Sequence, residues 1–547
     1  MTGQGDDPEP RVGGPAADAA RRAAREAARQ AALAARYEAE PAREAARGMP
    51  AHAVEPPVPE EPDDEGYHKS LKPRHVQMIA MGGAIGVGLF LGSAQRMHQT
   101  GPGLVLAYLA AGIVAFLVMR ALGELVLHRP TAGSFVTYAR EFIGPWAGFA
   151  SGWMYWLNWA MTGVAEITAV GIYVHYWAPD FPQWLSALAA LGVLLAVNLV
   201  SVRLFGELEF WFAMLKVAAI TVFLVVGVVL VATRHRVGEH RATLANLTDH
   251  GGFMPQGSWV VLLSLQGVIF AYAAIEMVGI SAGEAENPRT VLPRAINGVV
   301  WRIALFYVGA VFLLVTVLPW TVYTPGESPF VTVFAALGVA GIGGVMNLVV
   351  LSAALSSTNS GLYSTGRILR SLAQCGEAPA VTARMSSRHV PYGGILFTSL
   401  VYLAGVALNA VVPHEAFEIA TSIASLGVLT TWATLLYAQI RFRRAALRGE
   451  VERPGYRMPG SPYTNWLALG FLVLVVGLML FDHTQRWAVV AIPFLVATLW
   501  IGWRVVSARR TGPPQRRSQG PPQGPPQGPS PGRTPNGPPA PPPAPPR

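Results

Sequence analysis

Charge, lysine and cysteine are scarce in this sequence. Only 13% of its 547 residues are charged, whereas soluble domains average about 25%. The single cysteine, Cys375, excludes an internal disulfide and a cysteine cluster for a metal. Of the 41 basic residues only three are lysines, namely Lys69, Lys72 and Lys216. The low charge argues against a soluble globular protein, and the preference for arginine makes each lysine worth examining.

Several motifs of enzymes and pumps are also missing. No G-x-x-x-x-G-K-[ST] sequence is present, so this chain encodes no ATP drive. No Cys/His set has the spacing of a metal site, and no Ser/His/Asp arrangement stands out. We therefore expect no enzyme, no cofactor and no metal. The net charge of +9 points to anionic lipid and membrane topology and not to nucleic acid.

Long apolar runs dominate what is present, since 52% of the residues are hydrophobic. About 20 apolar residues cross the hydrocarbon of a bilayer, and on this rule we predict an all-α integral membrane protein with about twelve spans. The spans lie near 78–96, 103–127, 147–176, 184–202, 209–232, 259–282, 297–320, 329–362, 391–411, 416–440, 463–481 and 487–504.

The basic residues predict the orientation of these spans. With the N-terminus in the cytoplasm, 21 basic residues fall in inside loops and flanks and five fall outside, as the positive-inside rule requires. Both termini are therefore predicted to be cytoplasmic. We predict a disordered N-terminal tail at 1–66, a transmembrane domain at 67–508, and a disordered Pro/Gly/Gln-rich tail at 509–547.

The stretch 78–93, MIAMGGAIGVGLFLGS, contains five glycines within an apolar span. Glycine costs about 1 kcal/mol in a helix interior relative to alanine, so the pattern predicts a thinned or interrupted helix. An interruption within the membrane is tolerated where the backbone lines a cavity or meets a ligand. Close packing between helices is the alternative, because small residues let helices approach each other.

Six ionisable residues inside the spans are singled out, since such residues are functional candidates by default. Arg120 and Glu124 are four residues apart, so we predict a local structural ion pair. Lys216 lies about 10 Å inside its span. It either extends to the interface or is buried, where lysine, unlike arginine, can lose its proton. Glu276 and Glu166 are the carboxylates in spans six and three, and Arg302 is interpreted as an interfacial anchor.

Two polar groups are candidate cavity walls. Asn158 and Thr162 share a span with Glu166 and could line the same cavity with it. The run from 356 to 360, which contains Ser357 and Asn359, either lines a cavity or marks where span eight reaches the cytoplasmic loop.

Several longer motifs resemble the bacterial amino acid transporter branch of the amino acid–polyamine–organocation superfamily. They include LKPRHVQMIAMGGAIGVGLFLGS, FGELEFWFAMLKV, FAYAAIEMVG and SSTNSGLYSTGRIL, and they fall within residues 67–505. The resemblance implies a LeuT-type fold of two inverted five-helix repeats with discontinuous helices 1 and 6, plus two added helices. It also implies proton-coupled amino acid uptake across the cell membrane.

The resemblance further implies roles for particular residues. The backbone of Ala84, Ile85, Gly86, Val87 and Gly88 would hold the substrate carboxylate. The carbonyls of Phe270, Ala271, Ala273 and Ala274 would receive the amino group, with Glu276 just beyond. Lys216 and Glu276 would be the proton-coupling residues. Two departures from relatives are Val87, in place of a hydroxyl residue, and Ala273-Ala274, in place of a pair containing Gly or Ser.

The expected partners are an amino acid, a proton and the lipid bilayer. Within its branch the sequence is most similar to actinobacterial transporters of L-asparagine, which implies that substrate. The alternatives are a permease or exchanger for another amino acid, such as γ-aminobutyrate, proline or serine/alanine/glycine, and an amino-acid sensor that binds without transport.

Overall fold

The protein is described here by a computed structural model. The described residues are 85–129, 134–200, 202–277, 293, 296–298, 301–413, 415–482 and 485–511. The predicted tail 1–66 lies outside them, as do residues 67–84 of the predicted membrane domain and 512–547 of the second predicted tail.

The first half of the described chain is helical apart from one small antiparallel hairpin. Its elements are α1 (Val87–Phe90), α2 (Gly92–Thr100), α3 (Leu104–His128), α4 (Ser134–Phe142), α5 (Pro145–His175), α6 (Gln183–Val200), α7 (Val202–Ala232), β1 (Arg236–Val237) and β2 (His240–Arg241). In the hairpin Arg236 is paired with Arg241.

The second half continues as helices, one of which begins with a π-helical segment. Its elements are α8 (Ser258–Leu263), α9 (Leu265–Ala271), the π-helix Ile303–Gly309, α10 (Ala310–Val317), α11 (Pro329–Ala336), α12 (Ile342–Gln374), α13 (Tyr392–Val411), α14 (Ala416–Leu447), α15 (Tyr463–Met479), α16 (Arg486–Val490) and α17 (Ile492–Thr511).

Eight helical segments of the described chain are long and apolar enough to cross a membrane. The 31-residue α5 is a further long helix, and Ser258–Ala271 and Tyr463–Met479 are shorter apolar helices. The prediction of an all-α, multi-pass membrane protein is confirmed. The number of twelve spans and the inverted repeat stay predictions.

Burial distinguishes central helices from peripheral ones. The most apolar stretch of α14 is 72% buried, whereas that of the segment Arg486–Arg509, which covers α16 and most of α17, is 6% buried. The long α5 packs along both α14 and α12. Large apolar side chains of α7, including Val222, Val225 and Val229, are exposed, as expected of a surface that faces lipid. The helix α5 is therefore positioned to present side chains to the interior.

The predicted single span 329–362 is wrong. The structure has two helices there, because α11 ends at Ala336 and α12 begins at Ile342. Gly338 and Gly341 both have φ values in the left-handed region, +74° and +80°, and they reverse the chain between the helices. The apolar run LGVAG concealed this turn, because hydropathy does not fall within it. The 33-residue α12 extends to Gln374.

The predicted ion pair between Arg120 and Glu124 is also wrong. Glu124 is fully buried and accepts a hydrogen bond from Arg453 Nε at 2.6 Å. It also accepts one from Gln439 Nε2 and one from the backbone N–H of Met458. Arg120 instead donates to Asn297 Oδ1 and to the carbonyl of Arg457, and it stacks on Tyr456. The segment after α14 provides most of these partners, which spacing along α3 could not predict.

Candidate functional site

The helix α9 ends inside the predicted sixth span. It ends at Ala271, and residues 272–276 form turns. Ala274 has φ +71°, which lies in the left-handed region and is unusual for a residue with a Cβ. Tyr272 anchors the turn, since its hydroxyl donates to the carbonyl of Tyr108 at 2.8 Å and its ring stacks on Tyr307. Alanine at 273 and 274 is therefore compatible with a break.

The helix α1 begins inside the predicted first span. Gly86 is extended, with φ −127° and ψ −166°, and α1 starts at the next residue. A Cβ on Gly86 would lie 2.8 Å from Glu166 Oε1, and one on Gly88 would lie 2.7 Å from Ala271 Cα. Both proposed uses of the glycines are thus present, because Gly88 permits close packing and Gly86 faces a polar group. Ala84, Gly82 and Gly83 lie outside the described residues.

A cavity lies where the start of α1 meets the end of α9. About 360 Å³ of space not filled by atoms lies among its lining residues, and part of this space is open to solvent. Residues from the start of α1, from the end of α9 and the turn after it, and from α5 and α12 line this cavity. The lining residues are Gly86, Gly88, Asn158, Trp159, Thr162, Glu166, Phe270, Ala271, Ala273, Ala274 and Ser357.

Glu166 is the acidic group in the cavity wall. Its side chain is almost fully buried, and Val87 N–H donates to Oε1 over a long distance, 3.4 Å. None of the described residues hydrogen-bonds to Oε2. The positive end of the α1 dipole therefore faces a carboxylate, although that carboxylate is only partly satisfied.

The other polar side chains in the cavity wall are uncharged. Asn158 and Thr162 are one turn apart on α5, and the Thr162 hydroxyl donates to Asn158 Oδ1 at 3.3 Å. The Ser357 hydroxyl has no hydrogen-bond partner among the described residues. A Cβ on Gly86 would lie 3.1 Å from that hydroxyl oxygen. The cavity can therefore offer donors and acceptors to a polar ligand.

Other predicted site residues are buried but do not line the cavity. Ile85 and Val87 are in the core. Glu276 is fully buried, and Trp432 Nε1 donates to its Oε2 at 3.5 Å. Asn359 is also fully buried, and its Oδ1 accepts from Asn198 Nδ2 of α6 at 2.8 Å. The run 356–360 lies in the middle of α12, not at its exit to a loop.

Lys216 lies well inside α7. Because the helix begins at Val202 and not at 209, Lys216 is about 21 Å along the helix axis. Its side chain is 0% exposed, whereas a lysine that extends to the interface keeps its ammonium in water. The carboxylates of Glu209 and Glu166 both act electrostatically on its ammonium group.

Three residues near the site were missed by sequence reasoning. Trp159 lines the cavity, Trp432 bonds Glu276, and Glu209 acts on Lys216. The aromatic-rich run WMYWLNWA was a signal for Trp159. Glu209 had a signal too, because it lies seven residues before Lys216 and thus on the same face of a helix. Only tertiary structure reveals Trp432.

Helix ends that meet at a cavity with polar side chains in its wall are typical of membrane carriers of the secondary-transporter class. The sequence model of the amino acid permease family, "Amino acid permease", matches residues 75–511. This chain belongs to the amino acid permease family; it is a transporter of amino acids and not an enzyme.

Proteins of known name are similar over most of their length. An L-asparagine permease of Streptomyces coelicolor is 53% identical over 455 residues, which cover 83% of this chain and 93% of that protein. The L-asparagine permease of Escherichia coli is 52% identical over 458 residues, covering 82% and 92%. L-asparagine permease 1 of Mycobacterium tuberculosis is 52% identical over 451 residues, with the same coverage.

Proposed function

We propose that this protein imports L-asparagine across the plasma membrane together with a proton, with both of its termini in the cytoplasm. The observation that carries the proposal is the cavity between the start of α1 and the end of α9. The names of the relatives, at 52–53% identity, support asparagine as the substrate. The excess of basic residues in predicted inside loops supports the orientation.

The start of α1 would bind the substrate carboxylate. The first N–H groups of a helix lack partners within the helix and carry a partial positive charge. In this proposal the backbone from Ala84 to Gly88 supplies those groups. Val87 has no hydroxyl, but its N–H already bonds one carboxylate oxygen, that of Glu166. Backbone alone is therefore sufficient for a carboxylate contact at this position.

The end of α9 would bind the substrate amino group. The carbonyl of Phe270 accepts from Ala273 N–H, and that of Ala274 accepts from Met277 N–H. Each carbonyl oxygen keeps a second lone pair, which an ammonium group can use. The carbonyls of Ala271 and Ala273 would complete this half of the site. The asparagine side-chain amide would then meet the polar groups of α5 and α12.

Lys216 and Glu276 would couple substrate binding to protons. Both are fully buried ionisable groups in apolar helices or at their ends, and such groups mark proton relays in carriers. Alternating access would follow from rocking of the two predicted five-helix repeats around the cavity. In this proposal the movement would change the distance between the element that carries Lys216, α7, and the segment after α9 that carries Glu276.

Uptake into proteoliposomes tests this function. For one proton per substrate and with the membrane potential held at zero, a pH difference of one unit sustains about tenfold accumulation, because one pH unit corresponds to 1.36 kcal/mol. We expect labelled L-asparagine to reach that ratio with an acidic exterior and to reach no more than equality without a gradient. Unlabelled γ-aminobutyrate, proline, serine, alanine and glycine, each added in excess, measure selectivity.

Each alternative gives a different result in the same assay. An exchanger accumulates label only against a preloaded amino acid and is indifferent to pH. A sensor binds asparagine without accumulating it. A carrier of another amino acid shows stronger competition by that amino acid than by unlabelled asparagine. Any of these results contradicts the proposal.

A further inference from the structure

Glu209 is a buried carboxylate that neither the predicted nor the proposed site includes. It lies on α7 and is 0% exposed. Ser356 of α12 donates its hydroxyl to Glu209 Oε1 at 2.7 Å. None of the described residues hydrogen-bonds to Oε2. A buried carboxylate with one unsatisfied oxygen is costly, so its retention requires a reason.

Lys216 connects Glu209 with the cavity. Glu209 and Lys216 are seven residues apart on α7, which places them two turns apart on the same face. The Lys216 ammonium is acted on by Glu209 and also by Glu166, which lines the cavity. The helix α7 packs on α6, α10, α12 and the π-helix. Two carboxylates, one of them in the cavity wall and one outside it, therefore act on the same ammonium group.

Two consecutive serines of α12 connect the same two locations. Ser356 bonds Glu209, whereas Ser357 lines the cavity. The Ser357 hydroxyl and the Glu166 carboxylate both approach the position of a Cβ on Gly86. Adjacent side chains of α12 therefore contact Glu209 on one side and the cavity on the other.

Charge balance determines how many protons these groups hold. Two carboxylates and one ammonium have a net charge of −1, and an unbalanced charge in a dry interior is strongly unfavourable. The set becomes neutral when it holds two protons among the three groups, one more than a simple ion pair of Lys216 with one carboxylate. Because the set contains two carboxyl groups and one amine, it needs one more proton to be neutral than a pair with a single carboxyl group needs.

We propose that Glu209 is a proton-coupling residue, and that Glu166, Lys216 and Glu209 together hold the transferable proton. This inference rests on the proposed proton coupling and adds the residue that makes the site able to gain and lose a proton. On release the proton passes to water on one side of the membrane, and the three groups keep the resulting charge of −1. On uptake the set returns to neutrality.

The variant Glu209→Gln tests this role. Glutamine keeps an oxygen that can accept the bond from Ser356, so the local fold is maintained. It also leaves Glu166 and Lys216 as a neutral pair that needs no extra proton. We expect the accumulation ratio of labelled asparagine at one pH unit to fall from about ten to about one. Exchange of labelled for unlabelled asparagine, which needs no net proton movement, is expected to persist.

Two further variants separate coupling from structure. Glu207→Gln changes a carboxylate two residues away on the same helix, and we expect it to keep the wild-type ratio. Glu209→Asp restores an acid and is expected to restore part of the accumulation and of the proton influx, recorded with a pH dye inside the vesicles.

Two outcomes overturn the proposal. If Glu209→Gln accumulates asparagine at the wild-type ratio with wild-type proton influx, the residue does not carry coupling. If Glu209→Gln loses exchange and asparagine binding together with accumulation, the residue is structural. The wild-type protein tests the proposed function separately. If its accumulation of asparagine does not depend on the pH gradient, proton coupling itself is contradicted, whatever the variants do.

Discussion

Replacing Gly88 by alanine should separate the two helix ends that form the cavity. A Cβ at this position would lie 2.7 Å from Ala271 Cα, 3.1 Å from Ala271 N and 3.0 Å from Phe270 Cδ1. Carbon atoms in ordinary contact are about 3.5–4.0 Å apart. The Phe270 ring can rotate away, but the Ala271 backbone cannot. The start of α1 and the end of α9 must therefore move apart by about 1 Å.

The cost follows from overpacking in a well-packed interior. Inserting a methyl group against fixed backbone costs about 1–3 kcal/mol. The displacement also alters the spacing between the N–H groups of α1 and the carbonyls of α9. A loss of about 1.4 kcal/mol in binding is a tenfold weaker affinity. We expect Gly88→Ala to lower the free energy of unfolding in detergent and to raise the Kd for asparagine at least about tenfold.

Gly92→Ala is the matched control on the same stretch. The atoms nearest to a Cβ on Gly92 lie 3.8–4.0 Å away, which is ordinary contact. Because alanine is favoured over glycine in helices by about 1 kcal/mol, this variant should keep both binding and stability. The measurements are thermal unfolding of purified protein and equilibrium binding of labelled asparagine. Wild-type values for Gly88→Ala in both measurements would refute the reasoning.

Two other substitutions test the turn after α9 and the network on α3. Because Ala274 has a left-handed φ, which costs about 1–2 kcal/mol for an L-residue, Ala274→Gly should raise the unfolding temperature. Ala273→Gly should not raise the unfolding temperature, because φ is not positive at that position. An equal rise of the unfolding temperature in both variants would contradict this reasoning. Glu124→Gln should lower the free energy of unfolding by about 3 kcal/mol, since the carboxylate of Glu124 is buried in an ion pair with Arg453. In the same chemical unfolding assay Glu450→Gln, in an exposed pair, should have no effect, and an equal loss in both variants would refute the network's role.

The membrane fold was accessible from sequence because hydropathy and length are local properties. Apolar runs predicted the bounds of α3 and α13 to within one residue and the start of α14, although α14 continues seven residues beyond its predicted end. The turn between α11 and α12 was missed since it is as apolar as the helices that it joins. In a membrane protein the turn residues need not be polar, so only Gly338 and Gly341 marked it.

The partners of charged side chains were less accessible. Glu124 had an arginine one turn away along α3, yet its partner is Arg453, more than three hundred residues further along the chain. Glu166 could be suspected from its position in a span, but its proximity to Gly86 required the packing of α5 on α1. Ion pairs and contacts between residues distant in sequence depend on tertiary geometry, which the spacing of residues along one helix does not contain.

The close approach of Gly88 to Ala271 has a consequence for how this protein can change over generations. In the proposed binding mode the ends of α1 and α9 contact the substrate through main-chain atoms, whose chemistry is the same whichever residue is encoded. Variable chemistry in the wall comes from side chains on α5 and α12, namely Asn158, Thr162, Glu166 and Ser357. New selectivity can therefore arise by substitution on those two helices, while the main-chain groups that we propose to hold the part common to all amino acids stay unchanged.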